Sequence, residues 1–302
     1  MAPVRLRRSE LSTPASNEKM VRKAAESEAD LVFLDLEDSV APSQKEDARG
    51  TAGAALRDLD WGGKTRAVRI NGVQTEWAHG DLIEIVDLAR DALDIVIVPK
   101  IRTAQDVWWV DVMLDQLEAR FRVGKRIGIE VLIEDVEAMV NVNEIARAST
   151  RLEALIFGPG DYSASQGIRA SIIGGSVDNY PGDLWHYARN RIIIAARAAG
   201  IDAIDGPYAA FRDPEGYELE CVRANVLGAA GKWAIHPSQI EIANRVFAPT
   251  ADEAARARAL CAAYDEAVAE GQGAIAIDGE MIDAATIRIL QNTALRADLV
   301  GL

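Results

Sequence analysis

Short runs of β-branched and large apolar residues alternate along this chain with longer stretches in which apolar residues recur every three or four positions. The short runs read as strands. They are LVFLDLE (31–37), TRAVRIN (65–71), DIVIVPK (94–100), IGIEVLIE (127–134), ALIFGPGD (154–161), DAIDGPY (202–208) and GKWAIHP (231–237), with a weaker one, SELSTPA (9–15), ahead of them. The stretches 17–28, 81–92, 103–121, 135–149, 184–200 and 217–231 carry helical periodicity, and several end in Gly, a common helix terminator. Strand–helix alternation implies parallel strands with right-handed crossovers. Eight such units predict an α/β fold, the (β/α)₈ TIM barrel. A doubly wound open sheet is the competitor, but no G-x-G-x-x-G follows the first strand. Beyond residue 246 the pattern changes to a breaker, an Ala-rich helix over 251–270, a hairpin over 271–283 turning at Asp278-Gly279, and a last helix over 284–297. The expected organisation is a catalytic barrel over 1–248 and a small helical lid or arm over 249–302 that reaches a neighbouring subunit.

Composition narrows the partners. The 302 residues include 33 Lys plus Arg and 47 Asp plus Glu, a net charge of −14. A nucleic-acid binder would carry a basic stripe, and anionic membrane surfaces repel an acidic protein. No apolar run approaches the roughly 18 residues of a membrane span, and the basic N-terminus lacks the apolar stretch of a signal peptide. Cys221 and Cys261 have no metal-ligand spacing, which fits a reducing cytoplasm.

In a barrel of this kind, chemistry sits at the C-terminal ends of the strands. Those ends read Asp35-Leu36-Glu37-Asp38, Arg69-Ile70-Asn71, Pro99-Lys100, Glu134-Asp135, Gly160-Asp161, Asp205-Gly206-Pro207 and His236-Pro237. Glu134 and Asp161 end adjacent strands and suit Mg²⁺, which takes one or two carboxylates and keeps several waters; each could equally cap the helix behind it. Glu130 is a rival ligand, but lies about 13 Å deeper along the same strand. Arg69 is either an electrophile for a carboxylate or enolate oxygen, or the salt-bridge partner of Glu37 or Asp38. Lys100 shares that ambiguity, and as a Schiff-base lysine it would need a depressed pKa. His79, His186 and His236 are scattered. No G-x-S-x-G, Walker A or zinc signature occurs. Lewis-acid and general-base chemistry on an oxygen-rich substrate remains.

These residues resemble a known family. Asp35-Leu36-Glu37-Asp38-Ser39-Val40-Ala41-Pro42 with Lys45 and Ala48-Arg49, then Val68-Arg69-Ile70-Asn71, Leu132-Ile133-Glu134, Phe157-Gly158-Pro159-Gly160-Asp161 and Gly231-Lys232-Trp233-Ala234-Ile235-His236-Pro237, are similar to the ordered motifs of the citrate-lyase β-subunit-like (HpcH/HpaI aldolase) superfamily. Asp183-Leu184-Trp185-His186-Tyr187, Asp205-Gly206-Pro207-Tyr208, the insert at about 166–183 and the tail Asp278–Asp283 resemble its malyl-CoA, β-methylmalyl-CoA and citramalyl-CoA lyases. The resemblance implies a Mg²⁺-dependent (or Mn²⁺-dependent) carbon–carbon lyase. It would cleave a 3-hydroxyacyl-CoA to acetyl- or propionyl-CoA and a 2-oxoacid, glyoxylate or pyruvate, as a homotrimer or homohexamer. It implies Glu134 and Asp161 as metal ligands, Arg69 as the enolate or oxoacid partner, and Glu37 and Asp38 as groups ordering Arg69 and water. Asp283 would be a general acid/base donated to a neighbour's site. Arg8, Ser9, Pro14 and Asn17 would lie near coenzyme A, although Ser12-Thr13-Pro14-Ala15 departs from the F-V-P-G-like run of many relatives. A citryl-thioester lyase subunit, a malyl-CoA thioesterase and a malate synthase on the same scaffold are the alternatives. A phosphate-substrate aldolase would want a Gly-rich cradle after strands seven and eight, and none is present.

Overall fold

The computed structural model describes residues 4–169, 173, 180 and 182–302. Eight parallel strands close into a barrel in sequence order: β1 (Ser9–Pro14), β2 (Leu31–Asp35), β3 (Thr65–Arg69), β4 (Ile95–Val98), β5 (Gly128–Ile133), β6 (Leu152–Phe157), β7 (Asp202–Asp205) and β8 (Gly231–Ala234). The ring closes where β1 pairs β8, with Glu10 opposite Trp233. The helices are α1 (Glu18–Ala25), α2 (Lys45–Asp58), α3 (Ala78–Ala89), α4 (Ala104–Phe121), α5 (Val136–Val140), α6 (Val142–Ile145), α7 (Pro159–Gln166), α8 (His186–Ala199), α9 (Pro214–Leu227), α10 (Ile240–Val246), α11 (Ala251–Ala269) and α12 (Ala284–Leu299). The (β/α)₈ expectation is met, and the chain divides into compact units 1–244 and 245–302. In the second unit, β9 (Ala274–Ile277) and β10 (Glu280–Asp283) form an antiparallel hairpin, and Leu260, Ile282 and Ile287 make a small core with α11 and α12.

Strand pleating decides which residues meet inside the barrel, because successive side chains point to opposite faces. Leu31 and Phe33, Ala67, Ile95 and Ile97, Leu132, Ala154 and Ile156, Ile204 and Trp233 form one core cluster, drawn from alternate positions of seven strands. Each large side chain buried this way contributes about 1.5–3 kcal/mol. The same parity carries Asp35, Arg69 and Glu134 inward at one end of the barrel, and Glu10 and Glu130 inward at the other. That lower end is ionic. Arg7 bonds Glu130 at 2.9 Å and also pairs with Glu153, which Arg5 holds at 2.8 Å. Glu130 therefore belongs to the floor and is no rim ligand.

Some elements differ from the sequence expectation. Helix α2 escaped notice because Gly50 and Gly53 dilute its apolar stripe. A Cβ on Gly53 would stand 2.4 Å from Leu88 Cβ, so the glycine admits close packing of α2 on α3. The segment 135–149 breaks at Asn141 into α5 and α6, and residues 154–161 split into the end of β6 and the first turn of α7. The central part of the predicted insert, 170–172, 174–179 and 181, lies outside the described residues.

Candidate active site

At the C-terminal ends of β2 and β3, Asp35 and Arg69 are direct register partners. Arg69 Nε and Nη2 donate to the two Asp35 oxygens, both at 2.7 Å, in a bidentate fork. Asp35 is fully buried and also accepts from the backbone N–H groups of Glu37 and Ser39, each at 3.0 Å, and from Ser39 Oγ at 2.5 Å. Burial disfavours its charge, but Arg69 and these donors hold its carboxyl below the usual range. Arg69 Nη1 lies 3.2 Å from Glu37 Oε2, and the guanidinium stands 5.4 Å from the Trp233 ring centroid. The indole beneath it is anchored in turn, its Nε1–H donating to Glu10 at 2.9 Å.

Lys100, just past β4, joins this group to the next. Its φ of +53° is unusual for a residue with a side chain and directs its N–H to Glu134 Oε1 at 2.7 Å. Its Nζ lies 2.6 Å from Glu37 Oε1 and 3.0 Å from Asp38. Desolvation works against the ammonium, yet its bonds to Glu37 and Asp38 raise its pKa. This is the reverse of a Schiff-base lysine. Burial raises Glu37, against the pull of Arg69 and Lys100. Asp38, expected beside Arg69, is half exposed and pairs with Lys100 instead, because it lies three residues beyond the strand end.

Glu134 follows β5 and is 4% exposed. Burial, and then the Asp161 carboxylate, push it to about 8. Asp161 lies in the first turn of α7, exposed, and no ion pair among the described residues involves it. Gly158 makes room for Glu134: a Cβ there would fall 2.5 Å from Glu134 Cβ and 2.7 Å from Oε2. Among the described residues no group of three or more His, Cys, Asp or Glu is placed to hold a metal ion. Mg²⁺ asks for less, one or two carboxylates with water completing the shell. Two repelling carboxylates, one buried and one open to solvent, form a donor set that fits it.

The other candidates fall in different places. Pro14 ends β1 opposite Asp35, and Asn17 caps α1 by accepting from Met20 N at 3.1 Å; both lie at the rim end. Arg8 and Ser9 do not. They stand where β1 begins, about 17 Å down the strand, and are engaged there, Arg8 with Asp30 at 2.7 Å and Ser9 with Asn244 at 2.7 Å. A strand cannot present both of its ends to one ligand on the rim, so Arg8 and Ser9 lie apart from Pro14 and Asn17. Asp283 belongs to the second unit, where it caps α12 by accepting from Ala285 N and Thr286 N at 2.9 and 3.0 Å. His236 caps the turn after β8 and stacks on Phe211 at 5.0 Å. Sequence reasoning missed Asp35 as the clamp of Arg69; the period-two line Leu31–Phe33–Asp35 was the signal for it.

A parallel eight-stranded barrel with a clamped arginine and two facing carboxylates on its C-terminal rim defines a class: barrel enzymes that work on oxygen-rich, anionic substrates. Comparison makes this specific. The profile of the HpcH/HpaI aldolase/citrate lyase family matches residues 8–237, and the chain belongs to that family. It is 40% identical to an L-malyl-CoA/β-methylmalyl-CoA lyase of Rhodobacter capsulatus, over 99% of this chain and 96% of that one. It is 34% identical to a (3S)-malyl-CoA thioesterase of Cereibacter sphaeroides, over 97% and 95%. Among solved structures it resembles CitE of Mycobacterium tuberculosis in complex with magnesium, acetoacetate and coenzyme A. The TM-score is 0.76 at 29% identity, covering 96% of this chain and 97% of that one.

Proposed function

We propose that the protein is a Mg²⁺-dependent carbon–carbon lyase of 3-hydroxyacyl-CoA thioesters, cleaving malyl-CoA, β-methylmalyl-CoA or citramalyl-CoA to acetyl- or propionyl-CoA and glyoxylate or pyruvate. The observation that carries this reading is the buried Glu134 close enough to feel the charge of Asp161, which has no ion-pair partner among the described residues, beside the Asp35–Arg69 clamp. Near-full-length similarity to a named malyl-CoA/β-methylmalyl-CoA lyase supports the substrate class.

Glu134 and Asp161 would hold the metal, which when bound supplies Lewis-acid polarisation of the oxoacid oxygens. Arg69, fixed by Asp35 and Glu37, would direct its remaining N–H donors at the thioester oxygen, where negative charge develops as the C2–C3 bond breaks. Such a donor, already oriented and poor in water, contributes about 2.7–4 kcal/mol to the barrier. Glu37 bridges Arg69 and Lys100, and Asp38 acts on the same group through Lys100. Asp283, donated by a neighbouring subunit's C-terminal arm in a cytoplasmic homotrimer or homohexamer, would serve as general acid/base, taking the 3-hydroxyl proton as the C2–C3 bond breaks and returning it to the enolate carbon. Pro14 and Asn17 would flank coenzyme A.

A metal-stripped preparation assayed on malyl-CoA, β-methylmalyl-CoA and citramalyl-CoA tests this reading. Cleavage of at least one, restored by Mg²⁺, is expected; metal-independent turnover, or none on any of the three, contradicts it. A second reading, thioester hydrolysis, is favoured by the similarity to the (3S)-malyl-CoA thioesterase. It would release free CoA and the intact hydroxyacid.

A further inference from the structure

Lys45 opens α2, eight residues beyond Glu37, yet its side chain returns to the end of β2. It is 5% exposed, and lysine is rarely buried without a partner. Its three ammonium protons meet three acceptors: Leu36 O at 2.9 Å, Glu37 O at 2.8 Å and Asn71 Oδ1 at 2.6 Å. All three are neutral carbonyl oxygens. Asn71, just past β3, donates to Leu36 O at 3.1 Å and to Asp81 at 2.7 Å, and Asp81 takes Arg49 Nε at 2.8 Å. The ammonium also stands 5.1 Å from the Trp77 ring centroid. One side chain thus ties the ends of two neighbouring strands together from behind the rim. Its backbone bonds go to the carbonyls on either side of the Glu37 Cα, from which the Glu37 carboxylate reaches Arg69 and Lys100.

We propose that Lys45 is a positioning residue for this site: it fixes the backbone at Leu36 and Glu37 and so sets the angle at which Glu37 meets Arg69 and Lys100. The inference rests on the lyase reading only for its kinetic consequence. A hydrophobic side chain of similar length would fill the space, leaving Glu37 O without the ammonium and Leu36 O with Asn71 Nδ2 at 3.1 Å. The loop would then be free to turn, and the Glu37 carboxylate with it.

The test uses the full-length protein and Lys45→Met, with Lys45→Gln as the milder variant should the first fail to fold. Lys45→Met should lower kcat about 10–100-fold and leave KM for the thioester within about threefold. If Lys45 acts through Glu37, the Lys45→Met/Glu37→Gln double variant should be no slower than Glu37→Gln alone. Multiplying effects would mean an independent structural role and would overturn the proposal, as would an unchanged kcat. A readout free of activity separates this from failure of the lyase reading. Amide hydrogen exchange at Glu37 and Ser39 should speed up at least about tenfold in either variant, with β4 to β6 unaffected. Unchanged exchange at these amides overturns the proposal even if the lyase reading stands.

Discussion

Replacing Asp35 by Asn keeps the shape of the side chain and removes its charge. The native carboxylate accepts five bonds: two from Arg69, two from backbone N–H groups and one from Ser39 Oγ. An amide has one acceptor oxygen and turns an NH₂ toward groups that are themselves donors. Arg69, 8% exposed, then relies on Glu37 at 3.2 Å and the field of Glu134. Removing one partner of a buried ion pair costs about 3–5 kcal/mol of stability. Urea unfolding of the wild type and Asp35→Asn at neutral pH measures that loss. In the folded fraction, a mis-aimed Arg69 should lower kcat/KM by about 10²–10³, the worth of one oriented oxyanion donor. The half-exposed Glu84, on the Arg49 side of the neighbouring network, is the control, and Glu84→Ala should cost less than about 1 kcal/mol. Asp35→Asn with wild-type stability and activity would refute the clamp.

Three further outcomes follow from other parts of the molecule. Saturating Mg²⁺ at 100 times its Kd should stabilise the wild type by about 2.7 kcal/mol; Glu134→Gln should abolish that gain in thermal unfolding, and an undiminished gain would place the metal elsewhere. Glu10 is wholly buried, has one oxygen without a partner among the described residues, and is raised well above 4.5 by burial and then by Glu130. A raised carboxyl contributes its full stability below about 4.5 and loses it as pH rises. Glu10→Gln should therefore gain on the wild type, by a margin that widens as pH rises above about 4.5 in urea titrations; a margin that narrows contradicts the raised Glu10 carboxyl. Asp283→Asn retains a good helix cap and should leave the circular dichroism spectrum intact while lowering kcat about 10²–10⁴-fold; full activity would reduce Asp283 to a cap.

Much of this architecture can be read from alternation alone. Apolar runs separated by amphipathic stretches leave few topologies besides the barrel, and the parity of Leu31, Phe33 and Asp35, or of Glu130, Leu132 and Glu134, tells which acids share a face. What alternation does not carry is the pairing between strands. Asp35 reads as the tail of an apolar strand until β2 and β3 come into register and set it against Arg69. Glu37 and Asp38 look equivalent in sequence, yet one turns into the barrel and the other stays half exposed. Arg8 and Ser9 precede a rim motif closely in sequence, but one strand's length separates them from it in space. Lys45 gives no local sign of its target, because its three acceptors lie just past β2 and β3 rather than on its own helix.

On the proposed function, the rim breaks a carbon–carbon bond rather than a thioester bond. The direct measurement is product stoichiometry after incubating the purified, Mg²⁺-loaded protein with malyl-CoA. Glyoxylate and acetyl-CoA in equal amounts, with no free CoA, are expected. Free CoA and malate, without glyoxylate, would contradict it.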